Sequence, residues 1–145
     1  MSGAPAVGVR VLSIAFGVFL VSMGLGKTGW MLDSSILMGQ LQEWLEFAHP
    51  LSRWHLENVA IPGAPIFARL VLLGELASGV ALLIGYRIRL AGVFALLMIL
   101  NFHVAMGIIF RLEYLTNGYG LPVVGGLLTL AIGATRLPLS VSNVE

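Results

Sequence analysis

The sequence predicts an all-α fold: an integral membrane four-helix bundle with an extra amphipathic interfacial helix between the first and second spans. Three observations carry this reading. Of 145 residues, 58% are hydrophobic and only 10% are charged, against roughly 25% charged in soluble domains. So few charges could not cover a water-soluble fold, and the continuous apolar exterior that results belongs in lipid. Four charge-poor runs approach the length needed to cross a hydrocarbon core of about 30 Å. One long polar stretch, 27–65, holds all three tryptophans. The length fits a single transmembrane domain, 1–145.

The first span covers about 8–26; residues 11–26 carry no charge, and Met23-Gly24-Leu25-Gly26-Lys27 offers no small-x-small cleavage pattern. It reads as a retained anchor. The outer segment, 27–65, follows. Within it Leu32, Ile36, Leu37, Leu41, Trp44, Leu45 and Ala48 fall on one helical stripe, while Gln40, Gln42, Glu43 and Glu46 lie elsewhere. Asp33 or Ser34 can cap this helix and Pro50 closes it. Trp30, Trp44 and Trp54 are its interfacial anchors, because tryptophan prefers the headgroup level of a bilayer. The same stripe would equally serve a surface helix packed on another subunit.

The second span, 66–85, and the third, 90–110, flank the tight basic turn Tyr86-Arg87-Ile88-Arg89 and form an antiparallel hairpin. The fourth covers about 119–135. Pro122 lies in its first turn, where a missing amide hydrogen does little harm, and Arg136 and Pro138 stop it. Glycines recur in the spans, as close helix approach requires; the pair Gly125-Gly126 either packs or leaves room for a lipid or quinone tail. With four spans, Arg10, Arg87, Arg89 and Arg136 share one side, and Lys27, Arg53 and Arg111 are spread over longer loops on the other. The positive-inside rule then places both termini in the cytoplasm, with a bacterial inner membrane as the expected location.

Several functions are excluded or weakened. A net charge of +1 gives no basic face for nucleic acid. With no cysteine there is no disulfide, thiolate metal site, iron-sulfur ligation or covalent c-type haem. A bis-histidine haem at His103 lacks a second intramembrane histidine. His49 and His55 match no zinc-ligand spacing, so no metal is expected. Ser13, Ser22 and Ser78 have no visible triad partners.

Glu75 is the most informative residue. It sits near the middle of the second span, where an acidic side chain costs about 2.5 to 3.5 kcal/mol by insertion scales. Arg69, six positions earlier, is about 9 Å away along the axis and about 120° around it, so the two do not share a face; Arg69 can snorkel to the headgroups. Across the hairpin, Asn101 lies at the same depth, about 15 Å from the turn, and His103 two residues farther out. Those two are about 200° apart on their helix, so one partners Glu75 and the other faces elsewhere. Glu75 is thus expected to be buried, protonated or hydrogen-bonded, either as a packing residue or with a functional role.

The segment Arg69-Leu-Val-Leu-Leu-Gly-Glu75-Leu-Ala-Ser-Gly79, followed by Ala81-Leu-Leu-Ile-Gly85 and Arg87-Ile-Arg89, is similar to the DoxX family of small four-span membrane proteins. So is the end of the first span, Ser22-Met-Gly24-Leu-Gly-Lys27. Counted over the whole first span and the central hairpin, the resemblance covers roughly half of the chain. The tryptophan-rich insertion is also compatible with the related DoxD-like subunits. The resemblance implies a membrane component associated with redox chemistry, such as the membrane subunit of a thiosulfate:quinone oxidoreductase, and it marks Arg69, Glu75 and Lys27 as functional positions.

The expected function is therefore a small integral membrane subunit associated with a membrane redox complex and binding quinone. Glu75 and either Asn101 or His103 would be its hydrogen-bond and proton partners. No redox centre of its own is visible, so another subunit would deliver electrons. The alternative is a non-catalytic accessory subunit of a larger respiratory or photosynthetic membrane assembly. A channel or small transporter is weaker, because the intramembrane polar residues outline no pathway. The expected partners are the lipid bilayer and other membrane subunits.

Overall fold

Helices account for the apolar runs because each lets a backbone satisfy its own hydrogen bonds without water. The computed structural model describes residues 3–133 and 137–141. Among these there are six α-helices and no strand: α1 Ala4–Leu25, α2 Ser35–Glu46, α3 Pro50–His55, α4 Ala64–Ile84, α5 Ile88–Met106 and α6 Leu121–Gly133. A widened π turn, Leu56–Ala60, extends α3, and short 3₁₀ turns occupy Thr28–Met31, Ile108–Phe110 and Leu112–Leu115. Three helices, α1, α4 and α5, are long and apolar enough to cross a membrane. With 13 residues, α6 is apolar but shorter, about 20 Å of helix. Arg136 and positions 134–135 of the predicted fourth span lie outside the described residues.

Two of the expected boundaries move. The third span stops at Met106 instead of continuing to 110, because Gly107 takes the left-handed conformation (φ 70) and caps the helix. Apolar residues run on through Ile108, Ile109 and Phe110, so hydropathy does not register the break. The fourth helix begins at Leu121, after the turn around Asn117, Gly118 and Tyr119, with Pro122 in its first turn as expected.

The four longer apolar helices form a closed ring in which α1 lies along α4, α4 along α5, α5 along α6, and α6 returns to α1. Neighbours run antiparallel. Small residues set the tightest contact: a Cβ on Gly17 would lie 2.9 Å from the Gly79 carbonyl oxygen, and one on Gly79 would lie 2.8 Å from the Val21 nitrogen. Only glycine lets these two backbones meet. Leu20, Leu82, Ala95, Leu127 and Leu130 fill the interior, while Val11, Val18, Leu70, Leu73, Leu97 and Ile132 face outward. A bundle apolar on both sides matches lipid as its surroundings.

Neighbouring side chains complete the helix ends, whose last carbonyls lack intrahelical partners. Arg10 is buried and donates to the carbonyls of Leu82 (2.8 Å) and Leu83 (2.6 Å), and the Ser13 hydroxyl donates to Leu82 at 2.8 Å, closing α4. Ser52 donates to Val104 at the end of α5 (2.6 Å), and Arg89 to Ala131 near the end of α6 (3.3 Å). Arg10 is thus more than a flanking charge that sets orientation; it ties α1 to the end of α4.

α1 ends level with the middle of α4, so the first half of α4 projects beyond it. The intervening segment packs there. Leu37 and Leu41 of α2 are buried with Leu56, Ala60, Ala64, Ala68 and Ala105, and Trp44, Leu45 and Ala48 pack around them. Leu32 and Ile36, expected on this stripe, are exposed: Leu32 precedes the helix, and Ile36 stands in its first turn. Ser35 caps back onto Asp33 (amide to Oδ1, 2.9 Å), and this bonding holds the Asp33 carboxyl below the usual carboxylate range. Pro50, besides closing the connection after α2, opens α3.

Candidate functional site

The offset between α1 and α4 puts Lys27, just past the end of α1, beside Glu75 at mid-helix. Its ammonium lies 2.8 Å from each carboxylate oxygen of Glu75. Glu75 is buried and Lys27 partly so, with 4% of the glutamate and 14% of the lysine side chain exposed. Desolvation makes such a pair costly to assemble, and removal of one member strands the other. The Lys27 ammonium also sits 5.6 Å from the centre of the Trp30 ring, within cation-π range. Its third hydrogen finds only a long contact to the Met23 carbonyl, 3.3 Å.

This pair lines a cavity of about 220 Å³ at the end of the bundle where α1 stops. Phe19, Trp30, Trp44 and Phe102 give it aromatic walls, with Ile99, Met106 and Val123 between them. Trp44 meets Phe102 edge to face at 6.2 Å. The polar groups on the lining are Lys27, Glu75, Gln40, His103 and Tyr119. α2 forms the roof, and Gln40, expected on the exposed side, turns toward the cavity from its flank.

His103 faces the cavity from α5. Its Nδ1 lies 2.9 Å from the Tyr114 hydroxyl, a contact that can run in either direction, and the Tyr119 backbone also engages the imidazole. Tyr114 stands in the turn after α5 and is buried, which pushes its phenol above the ordinary value. Apolar walls with a few convergent polar groups are the usual composition of a small-molecule site. Among the described residues, no three of His, Cys, Asp and Glu gather where they could share a metal ion.

The expected site residues separate into two groups. Lys27, Glu75 and His103 line one cavity, together with the expected anchors Trp30 and Trp44. The others stand apart. Asn101 is exposed and does not line the cavity that Glu75 and His103 share. Arg69 donates to the carbonyls of Met31 (3.1 Å) and Pro65 (2.6 Å), which fastens the 28–31 turn to α4. Trp54 is exposed. The Gly125-Gly126 pair does not line the cavity: a Cβ at Gly125 would meet nothing, and one at Gly126 would collide with the Phe16 ring. Tyr114 carries no signal in the sequence and Gln40 reads there as exposed, since neither has a periodic relation to Glu75. Lys27 had one bottom-up signal, a single cation at the end of an apolar span in a chain with a single mid-span acid.

The chain matches no family model, no curated protein and no solved structure.

Proposed function

We propose that this protein is a small four-span membrane subunit whose cavity holds the ring of a quinone, within a redox complex in which another component supplies the electrons. The observation that carries the reading is the aromatic-walled cavity of about 220 Å³ with the Lys27 ammonium on its lining. An apolar cavity of about 150 Å³ accommodates benzene, so this one suits a single substituted ring. The roof and aromatic walls present a mostly apolar surface to the ring. The Lys27 hydrogen that now makes only the 3.3 Å contact to Met23 is available to a better acceptor, such as a quinone carbonyl. Glu75 keeps that ammonium aimed, and the His103–Tyr114 pair adds a second polar contact on the α5 wall. The resemblance of the α1 end and the α4–α5 hairpin to the DoxX family points the same way.

In this reading α6 belongs to the fourth span, both termini lie in the cytoplasm of a bacterial cell, and α2 lies outside at the headgroup level. A cysteine introduced at Gln42 should then be labelled only from the outer side; labelling only from the cytoplasm would reverse the orientation. For the function itself, the test is mild detergent purification from native membranes with extraction of bound quinone. The expected result is quinone in near-stoichiometric amount together with redox subunits. A protein that travels with a larger assembly but carries no quinone would favour the accessory-subunit alternative.

A further inference from the structure

A second hollow shares a wall with the cavity. Ala15, Phe16, Phe19, Gly118, Tyr119 and Val123 line a groove of about 470 Å³ between α1 and α6, and Phe19, Tyr119 and Val123 also line the cavity. One layer of side chains separates the two. Its main members are the Phe19 and Tyr119 rings, 6.4 Å apart and tilted by 37°. No residue of the groove is charged, and Ala15 and Gly118 are exposed. A groove of about 300 Å³ also lies between α4 and α5, but it includes Arg87 and shares no residue with the cavity; elsewhere the helix pairs meet closely. α1 and α4 meet backbone to backbone at Gly17 and Gly79, a Cβ on Gly92 would lie 3.1 Å from the Ala131 nitrogen across α5 and α6, and Gly74 is covered by Phe94 and Met98 across α4 and α5. Tyr119 stands on the turn before α6, where its amide donates to Asn117 (2.8 Å), so its ring can swing without breaking a helix.

We infer that the α1–α6 groove carries the hydrocarbon tail of the ligand whose ring occupies the cavity, and that Phe19 and Tyr119 form the gate by which that ring enters from the lipid. This inference rests on the quinone reading above. A cavity of about 220 Å³ holds a ring and is too small for a long tail, so the tail lies outside it. α2 roofs the cavity, and the groove is the apolar surface continuous with it. The tail comes from lipid of the same polarity, so the groove contributes shape-matched packing and a path for the tail instead of hydrophobic transfer. Gly126 contributes indirectly, by giving the groove residue Phe16 a place to lie.

Because Trp30 and Trp44 line the cavity, a bound quinone ring quenches their fluorescence. The full chain in lipid nanodiscs, with Trp54→Phe to remove the exposed fluorophore, is titrated with a tail-less benzoquinone and with its decyl-tailed counterpart. Ala15→Phe combined with Gly118→Phe fills the groove from its open side, where a Cβ on Gly118 meets nothing. The expected result is binding of the tailed quinone weakened by about tenfold, because the filled groove leaves its tail no path and no packing surface, with tail-less binding unchanged. Ala77→Phe, on the α4–α5 face, should alter neither. Unaltered affinity for the tailed quinone in the filled variant overturns the groove assignment while leaving the ring site standing. Phe19→Ala with Tyr119→Ala should speed association of the tailed quinone several-fold, and an unchanged rate overturns the gate. Quenching by neither quinone in the unfilled protein removes the quinone reading and this inference together.

Discussion

Lys27 and Glu75, 48 positions apart in sequence, are joined by two hydrogen bonds of 2.8 Å inside the bundle. The contact exists because α1 stops at the level where α4 is half complete, so that the end of one helix meets the middle of the next.

The pair should behave as a unit. Glu75→Leu or Lys27→Met alone strands a buried charge and should destabilise the fold by about 3 kcal/mol. The double variant should recover most of that loss. Glu75→Gln keeps an acceptor for the ammonium and should cost less than Glu75→Leu. Denaturation of the four proteins in the same detergent measures the coupling; additive losses would mean that the two groups do not interact.

Glycine substitutions should divide sharply by position. Gly79→Val drives a side chain into the backbone of α1 at Val21 and should abolish the folded bundle or cost several kcal/mol. Gly125→Ala meets open space and should leave stability unchanged or improve it, by up to about 1 kcal/mol from helix propensity. Thermal unfolding of both variants provides the comparison, and equal losses at the two positions would contradict the α1–α4 register.

Much of the bundle is legible in the sequence because the lengths of its apolar runs are set by simple geometry. Pro122 and the Arg87–Arg89 turn mark boundaries by their own conformational preferences. Gly107 does not, since a left-handed glycine followed by Ile108 and Ile109 looks like any glycine inside an apolar run. Depth counted from the turn puts Asn101 and His103 across the hairpin as the candidate partners of Glu75. Lys27 lies across α1 instead, and the offset of α1 against α4 depends on the Gly17–Gly79 contact, which no periodicity reveals. Arg10 likewise reads as a flanking charge until the end of α4 is seen beside it.

Tyr114 supplies a pH signature. Burial raises its phenol above the ordinary value, near 10 for an unfolded chain. The neutral phenol is therefore favoured in the fold: its contribution is fully present below the ordinary value and is lost as pH rises past it toward the folded value. Stability should decline above about pH 10 more steeply in the unmodified protein than in Tyr114→Phe. Parallel decline of the two proteins would show that the phenol is not buried as described.

The most direct test of the ring site is photolabelling with an azido-substituted benzoquinone, followed by peptide mapping. The account predicts label on the cavity walls, in the peptides that carry Trp30, Trp44 and Phe102, suppressed by excess unlabelled quinone and lost when the cavity is filled by Ile99→Trp. Label confined to outward-facing residues such as Leu70, Leu97 or Ile132, and indifferent to competitor, would contradict it.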